Sequence, residues 1–226
     1  MIETKSRKIS LKGQDKAIVE VKKQLAILEG ELFESDLYPK FSSKLKVQNN
    51  FPLKVKKLEI FQVNIGYMCN QVCEHCHVDA GPDRKEIMTK DTMKQCLEAI
   101  KKSGAHTVDI TGGAPEMNPD FRWFIEELTK IAVDDIIVRS NLTIIVANKK
   151  YRNLPAFFKA NNIHLISSLP CYTVENVDKQ RGDGVFNDSL EALKMLNEVG
   201  YGVESSGLQL DLVFNPGGAS LPGNQQ

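Results

Sequence analysis

The sequence has no excess charge, because 29 lysines and arginines balance 29 aspartates and glutamates among its 226 residues. A general nucleic-acid-binding or membrane-surface protein would carry a basic excess, so the balance argues against both classes. No apolar run approaches the roughly 20 residues that a membrane-spanning helix needs, and no signal-peptide pattern opens the chain. We therefore expect a soluble, cytoplasmic protein with no nucleic-acid or membrane partner.

Cysteine is scarce too, yet three of the five cysteines lie together in Cys69-Asn-Gln-Val-Cys73-Glu-His-Cys76. An odd number of cysteines without a signal peptide does not suggest a disulfide framework. Iron-sulfur cubanes are normally held by four thiolates. A group of three with no fourth cysteine nearby would leave one iron open, and an open iron can act chemically on a bound ligand.

Two other interpretations of the three cysteines remain open. Their spacing would place them on one face of a helix as an apolar stripe, although Gly66 before them and Gly81 after them favour a loop. A zinc site made of the same three cysteines and His77 is the stronger rival. Structural zinc sites usually combine two short ligand motifs, and the sequence has no second motif of this kind.

The chain from Leu58 onwards alternates predicted strands with predicted helices. Strands are predicted near Ile60–Ile65, Thr107–Thr111, Ile136–Ser140, His164–Leu169 and Leu208–Asn215, and helices near Lys90–Ser103, Pro119–Ile131, Tyr151–Asn161 and Val185–Val199. Thr89 and Asn118 are suitable N-caps, while Gly104 and Gly200 are suitable helix stops. Strands separated by helices of this length form right-handed βαβ units and a parallel sheet.

The predicted strands alternate polar and apolar side chains, which places one polar face on the sheet. That face would carry Gln62, Asn64, Thr107, Asp109, Thr111, Gln209, Asp211 and Asn215. A parallel sheet covered on both faces would be apolar throughout, and a closed eight-stranded barrel would fill its interior with bulky branched side chains. The sequence therefore predicts an α/β fold with an open, partial barrel whose polar face lines a ligand cavity.

The remaining motifs fall at the carboxyl ends of the predicted strands, where ligands bind in parallel α/β folds. The cysteine loop follows the first strand, Gly112-Gly113-Ala-Pro-Glu116 the second, Ser140-Asn141 the third and Ser168-Leu-Pro-Cys171 the fourth. Two glycines let backbone amides approach a ligand, and Glu116 offers a carboxylate to an ammonium group. An ordinary turn is the alternative for the two glycines.

These motifs resemble the radical S-adenosylmethionine (radical SAM) superfamily and, more narrowly, the radical SAM proteins of arsenosugar biosynthesis. The resemblance runs from about Phe51 to the end of the sequence. It rests on Gln62-Val-Asn64, Cys69-Asn-Gln, His75-Cys-His-Val-Asp-Ala-Gly-Pro-Asp-Arg84, Thr111-Gly-Gly-Ala-Pro-Glu-Met-Asn118, Asn141-Leu-Thr143, Ser168-Leu-Pro-Cys-Tyr172, Asn176-Val-Asp, Gln180-Arg-Gly-Asp-Gly184 and Asn215-Pro-Gly.

The resemblance implies two cofactors, a 4Fe-4S cluster and SAM. It implies that Cys69, Cys73 and Cys76 ligate the cluster and that the open iron binds SAM.

It also implies the residues around SAM. Gly112, Gly113 and Glu116 would meet its methionine end, Asn141 would be a further contact, and Arg181 would pair with its carboxylate. For Arg181, in a glycine-flanked loop before a helix, a surface salt bridge is the alternative. His75 stands where an aromatic residue of the superfamily usually lies against the adenine.

The arsenosugar branch further implies a small-molecule substrate and an electron donor such as ferredoxin or flavodoxin. The implied reaction transfers a 5'-deoxyadenosyl group to a methylated trivalent arsenic species. Trivalent arsenic is thiophilic, so Cys171 is a candidate to hold it through a partly exposed thiol of lowered pKa, whereas Cys96 is expected to be core. Cys171 as a buried small hydrophobe is the alternative.

Two other functions stay open. One is a radical SAM maturase of a cysteine-rich or selenium-containing peptide. The other is a non-catalytic, truncated relic that holds zinc or an inert cluster.

Residues 1–50 are expected to form an N-terminal helical extension and linker, and residues 51–226 a radical SAM core. Within the leader, the apolar spacing from Gln14 to Leu32 predicts a helix, and Glu34 to Lys57 is expected to be an irregular linker. Compared with the family, the core looks incomplete at its C-terminus, with about five βα units of the usual six. An unpaired edge strand would then favour oligomers or poor solubility.

Overall fold

The computed structural model describes residues 9–10, 12–14, 25–26, 39–73 and 76–215. The chain divides into two units, Leu11–Leu58 and a second made of Met1–Ser10 with Glu59–Gln226. In the first unit, helix α1 spans Phe41–Val47 and buries none of its side chains. It lies within the stretch that the sequence predicts to be an irregular linker. The helix predicted from Gln14 to Leu32 lies almost entirely outside the described residues.

The second unit is built on a sheet of five parallel strands. These are β1 Ile60–Asn64, β2 Thr107–Thr111, β3 Asp135–Ser140, β4 His164–Ser168 and β5 Leu210–Val213. They pair in chain order, so β1 and β5 are the two edges of the described sheet. The sheet does not close, which confirms the predicted open α/β fold.

The six helices described in this unit connect the strands or follow them. They are α2 Lys90–Ser103, α3 Phe121–Leu128, α4 Ile144–Ala147, α5 Leu154–Ala160, α6 Val174–Arg181 and α7 Val185–Val199. Short 3-10 turns occur at Lys12–Gln14, Pro115–Met117, Lys149–Tyr151 and Glu204–Ser206. Within the described residues, no helix is both long enough and apolar enough to span a bilayer.

The ends of helix α2 follow from the local sequence. The Thr89 hydroxyl accepts a hydrogen bond from the backbone amide of Thr92 at 3.3 Å, which satisfies a free amide of the first turn. Gly104 ends the helix in the left-handed region at φ +67°, a conformation that glycine adopts without strain. Helix α7 ends in the same way at Gly200. The predicted limits of both helices are confirmed.

The start of helix α3 differs from the prediction, because the helix begins at Phe121 and not at Pro119. The side chain of Asn118 is used elsewhere: its Oδ1 accepts a hydrogen bond from the amide of Asp120 at 2.9 Å. Its Nδ2 donates to the carbonyls of Ile65 and Met88, both at 2.9 Å. Asn118 therefore joins β1 to the start of α2 and turns the chain before the helix begins.

Helix α6 was not predicted, and it corrects the expected position of Arg181. Arg181 is the last residue of this helix and does not lie in a loop. Only Val177 and Arg181 of the helix are buried, so the apolar periodicity that would reveal a helix is almost absent. Gly182 follows at φ +114° and separates α6 from α7.

The two faces of the sheet differ as the strand pattern predicts. One face packs on the helices through buried Val63, Val108, Ile110, Val138 and Leu165. On the opposite face, Gln62, Asp109 and Arg139 form a polar network across β1, β2 and β3. Gln62 Nε2 donates to Asp109 at 2.8 Å, and Arg139 Nε and Nη2 each approach an Asp109 oxygen at 2.9 Å. The core therefore lies on one side of the sheet and the polar cavity on the other.

Candidate functional site

A cavity of about 240 Å³ lies at the carboxyl ends of the strands. It is lined by Cys69, Gln71, Cys73, Cys76, His77, Val78, Ala80, Thr111, Gly112, Gly113, Arg139, Ser140, Asn141, Ser168 and Arg181. The three clustered cysteines and the loops after β1, β2, β3 and β4 thus meet at one place. This is the position that the strand order and the motifs predict.

The sulfur atoms of the cysteine loop receive several hydrogen bonds. Cys69 Sγ accepts from the backbone amide of Gln71 and from Asn141 Nδ2, both at 3.4 Å. Cys76 Sγ accepts from the backbone amide of Ala80 at 3.2 Å. Burial raises the pKa of the Cys69 thiol to about 11. The donors oppose this effect, and they are suited to a thiolate that a metal holds in place of the proton.

The three thiols line the same cavity as His77. Among the described residues, no three His, Cys, Asp or Glu side chains lie close enough together to hold a single metal ion. A tetrahedral zinc site needs its ligands about 2.0–2.3 Å from one ion, whereas a cluster of several iron and sulfur atoms keeps its ligands further apart. The three cysteines and His77 all line this cavity, so the cluster and the rival zinc site both remain interpretations of the geometry.

The two glycines bring the loop after β2 against the cysteine loop. The amide of Gly113 donates to the Gly66 carbonyl at 2.9 Å, and the amide of Ala114 donates to the Met68 carbonyl at 2.8 Å. A Cβ atom on Gly113 would lie 2.6 Å from the Met68 carbonyl oxygen. Close packing of the two loops thus requires glycine here. The contact of both glycines with SAM stays a prediction.

Glu116 lies in the 3-10 turn Pro115–Met117 and is buried. Neither of its carboxylate oxygens has a hydrogen-bond partner among the described residues. Burial raises the pKa of this carboxyl to about 7. The Ser140 hydroxyl lies nearby and opposes part of this increase, although the two side chains are not within hydrogen-bonding geometry. A buried carboxylate without a partner is the group that an incoming ammonium ion would stabilise.

Asn141 joins the end of β3 to the cysteine loop. Besides its bond to Cys69 Sγ, Asn141 Nδ2 donates to Asn70 Oδ1 at 2.7 Å. Asn141 Oδ1 accepts from the amide of Ile144 at 3.0 Å, and Asn70 Nδ2 donates to Thr143 Oγ1 at 2.9 Å. The structure therefore places Asn141 against a cysteine ligand candidate, while its predicted contact with SAM stays a prediction.

Arg181 reaches into the cavity from the end of α6. Its side chain is buried, and its Nη2 donates to Gln71 Oε1 at 2.8 Å while Nη1 donates to the Ser168 carbonyl at 3.2 Å. Its Nε has no partner among the described residues. This burial rules out the alternative of a surface salt bridge and leaves a guanidinium group available to an anionic ligand.

Two cavity residues were missed by the sequence reasoning, Gln71 and Arg139. Gln71 is a polar residue two positions after Cys69, and only its place inside the cysteine motif could have drawn attention to it. Arg139 has the strand alternation as a signal, because it lies on the polar face beside the buried Asp109. Its guanidinium group is paired with the Asp109 carboxylate at 2.9 Å, so its positive charge is already compensated beside the cavity.

Three other residues named in the sequence analysis lie outside the cavity lining or outside the described residues. His75 is outside the described residues. Cys171 lies beyond β4 and packs against Leu169, Val177 and Val185, so it is not part of the described cavity lining. Cys96 is on α2 and packs against the main core, as expected.

The Cys171 thiol is partly exposed, and its surroundings favour the thiolate. Slight burial opposes ionisation, but hydrogen bonds from the Thr173 backbone and from the side chains of Thr173 and Asn176 outweigh it and lower the pKa of Cys171. Asn176 Nδ2 approaches the sulfur at 3.5 Å. A partly exposed thiol of lowered pKa is a reactive, metal-binding thiol.

The segment that follows the cysteine loop is held from both sides. Ser10 donates to Asp83 through its backbone amide at 2.9 Å and through its hydroxyl at 2.6 Å, and these bonds lower the pKa of Asp83. Arg84 stacks over the ring of Tyr67, with 4.8 Å between its Cζ and the ring centroid. Within this segment, the Gly81 carbonyl accepts a hydrogen bond from the Cys69 amide at 3.1 Å.

The open parallel sheet with a cysteine-lined cavity at its carboxyl edge defines the class of fold, an open α/β partial barrel. Residues 63–212 match the profile of the radical SAM superfamily, and the chain belongs to that superfamily. Members use a 4Fe-4S cluster and SAM and cleave SAM reductively. The predicted cofactors and the enzyme class are thereby confirmed.

Known proteins that resemble the chain belong to several branches. A probable GTP 3',8-cyclase of Saccharolobus islandicus is 23% identical over 145 residues, which cover 64% of this chain and 46% of that relative. The tagged anSMEcpe with bound AdoMet matches with a TM-score of 0.55 at 14% identity, covering 70% of this chain and 43% of that one. Streptococcus suis SuiB bound to precursor peptide SuiA matches with a TM-score of 0.54 at 16% identity, covering 79% and 43%. Each match spans less than half of the relative's length, and the two structures support the fold alone.

Proposed function

We propose that Cys69, Cys73 and Cys76 ligate the 4Fe-4S cluster of this radical SAM enzyme. The observation that carries the proposal is that all three thiols line one cavity at the carboxyl edge of the sheet. Buried polar atoms without described partners surround the same place: Gln71 Nε2, Ser140 Oγ and Arg181 Nε in its lining, and the Glu116 carboxylate beside Ser140. Such atoms fit a cavity that a polar cofactor fills.

The protein's own residues bind and orient SAM in this proposal. Glu116 accepts the methionine ammonium group, Arg181 holds the carboxylate, and Gly112 and Gly113 let SAM approach the backbone. Asn141 orients the Cys69 sulfur through its side-chain amide, and His75 lies against the adenine. When bound, the cluster supplies the reductive cleavage of SAM to methionine and a 5'-deoxyadenosyl radical, with ferredoxin or flavodoxin as electron donor.

The proposed substrate is a methylated trivalent arsenic species that receives the 5'-deoxyadenosyl group. The arsenosugar motifs of the sequence support this substrate, and so does the partly exposed Cys171 thiol with its lowered pKa. A soft thiolate binds trivalent arsenic and holds it in place for the reaction. We place the protein in the cytoplasm.

A radical SAM maturase of a cysteine-rich or selenium-containing peptide is the second candidate, because the cofactor residues do not specify the substrate. A non-catalytic relic that holds zinc is disfavoured by the superfamily match. Incubation of the reconstituted enzyme with SAM and dimethylated trivalent arsenic distinguishes them. An adenosylated arsenic product supports the arsenic substrate, whereas 5'-deoxyadenosine alone leaves the peptide candidate.

Serine substitution tests the cluster ligands. Cys69→Ser, Cys73→Ser and Cys76→Ser are each expected to lose both iron binding and SAM cleavage after anaerobic reconstitution, because a hydroxyl is a poor substitute for a soft thiolate. The matched control is Cys96→Ala, which removes a core thiol and is expected to keep the cluster. The measurements are iron and sulfide analysis and the absorbance of the iron-sulfur cluster at about 400 nm. Loss of the cluster in Cys96→Ala together with its retention in Cys73→Ser would refute the assignment.

A further inference from the structure

Gln71 belongs to the cysteine loop, and the proposed function gives its side chain no role. It lies between Cys69 and Cys73, is 7% exposed and lines the cavity. Its Oε1 accepts a hydrogen bond from Arg181 Nη2 at 2.8 Å. Its Nε2 has no hydrogen-bond partner among the described residues.

Arg181 determines which way the Gln71 amide points. A guanidinium group carries donors and no acceptor, so the amide oxygen must face Arg181 and the amide nitrogen must face away from it. Arg181 is itself fixed, since its Nη1 donates to the Ser168 carbonyl at 3.2 Å. The position of the Gln71 donor is therefore set before any ligand enters.

A buried amide donor without an acceptor destabilises the empty cavity, so the cavity's ligand is expected to supply the acceptor. The Cys73 thiol lies beside this side chain, with 3.9 Å between its Sγ and Gln71 Oε1. Once Cys73 is a thiolate, it has no proton to donate to this oxygen. Sulfur atoms then become the acceptors beside the Gln71 side chain.

We propose that Gln71 Nε2 donates a hydrogen bond to a sulfur atom of the cluster, and that Arg181 holds the amide in this orientation. The inference rests on the proposed function, because it requires the cluster to be bound by the three cysteines. A hydrogen bond to a cluster sulfur stabilises the more negative, reduced state and raises the reduction potential. Gln71 therefore tunes how easily the cluster accepts an electron.

The test compares Gln71→Leu with the parent and with Gln209→Leu, a matched control at an exposed glutamine just before β5. All three proteins are reconstituted anaerobically with iron and sulfide, and the cluster is titrated with dithionite by electron paramagnetic resonance in the absence of SAM. We expect a lower midpoint potential for Gln71→Leu and the parent value for Gln209→Leu. An unchanged midpoint in Gln71→Leu, or a shift that occurs only when SAM is present, overturns the inference.

A second measurement needs no substitution and covers the case in which Gln71→Leu binds no cluster. The parent protein is labelled with ¹⁵N in the side-chain amide of glutamine, and the reduced cluster is examined by electron-nuclear double resonance. We expect a ¹⁵N coupling and, in D₂O, a coupling to an exchangeable deuteron. A reconstituted cluster without the ¹⁵N coupling overturns the inference alone, whereas a parent that takes up no cluster overturns the proposed function as well.

Discussion

Glu116 carries an ionisation cost that a pH titration can reveal. Burial raises its pKa from 4.5 to about 7, so between these values the folded chain binds more protons than the unfolded chain. The contribution of Glu116 to stability is fully present below pH 4.5 and is lost as the pH rises to about 7. A shift of this size corresponds to about 3 kcal/mol.

We expect Glu116→Gln to remove this pH dependence. The variant gains on the parent in free energy of unfolding as the pH rises from 5 to 8, as measured by urea unfolding of the metal-free chain. Glu126→Gln, at an exposed site of α3, is the control and keeps the parent's pH dependence. An equal slope in parent and Glu116→Gln would show that Glu116 is already ionised in the folded state.

The substitution Cys171→Ala tests substrate binding independently of SAM cleavage. Because it lies outside the described cavity lining, Cys171→Ala is expected to keep cluster content and the formation of 5'-deoxyadenosine. It is expected to lose arsenic binding, and adenosylated product falls by about tenfold or more if the thiol positions the substrate. Product is measured by mass spectrometry. Product at the parent rate would assign Cys171 to packing against Leu169 and Val177.

At the scale of single residues, the sequence predicts site residues whose type alone indicates their chemistry. It misses residues whose role depends on which distant side chains they contact. The three clustered cysteines, Gly112 and Asn141 are brought to one cavity as expected. Gln71 and Arg139 could not be found, because their meaning depends on Arg181 and Asp109, which lie far away in the chain. The sequence placed Cys171 at the cavity mouth, but the position of a loop after a strand end is not set by strand register.

At the scale of elements, the contact between the loop after β2 and the cysteine loop can be tested by one methyl group. A Cβ on Gly113 would lie 2.6 Å from the Met68 carbonyl oxygen and 2.9 Å from the Tyr67 carbonyl oxygen. Gly113→Ala must therefore push the cysteine loop away. We expect a loss of about 1–3 kcal/mol in the free energy of unfolding, as for other overpacked sites, and reduced iron uptake.

Gly104→Ala is the matched control for Gly113→Ala. Its Cβ would meet no atom within 4 Å, although its φ of +67° is unfavourable for alanine. We expect a loss of about 1 kcal/mol from the backbone conformation and normal iron uptake. Iron analysis and urea unfolding of both variants provide the comparison. Normal iron uptake in Gly113→Ala would show that the cysteine loop tolerates the displacement.

The elements that the sequence predicts well are those with strong periodicity or caps. Helices α2 and α7 have an apolar stripe and glycine stops, and their limits agree with the prediction. The polar helix α6 lacks such a stripe, and the four-residue α4 is too short to show one. Because α6 was not predicted, Arg181 was expected in a loop and not at the end of a helix.

At the scale of the whole molecule, β5 is an edge of the described sheet and carries two exposed apolar side chains. Leu212 is 43% exposed and Val213 is 42% exposed. Exposed edges of this kind pair with other chains, and a lysine on the edge prevents such pairing. We expect the chain to form oligomers as its concentration rises, and Leu212→Lys to shift the population towards the monomer.

Size-exclusion chromatography with light scattering measures this change. Val47→Lys is the control, because Val47 lies at the end of α1 in the other unit and is 82% exposed. It is expected to leave the oligomer population unchanged. A parent chain that stays monomeric at high concentration would contradict the prediction that β5 pairs with other chains.

The bonds from Ser10 to Asp83 affect how this protein can be shortened for crystallisation. A chain started at residue 51 would retain every cysteine and every described strand but not the serine that binds Asp83. The neighbouring Gly81 supplies the carbonyl that accepts a hydrogen bond from the Cys69 amide, so the loss would act next to the cysteine loop. Expression trials aimed at a loaded enzyme therefore need a start point before Ile9, and a purification tag is better joined at a distance from this segment.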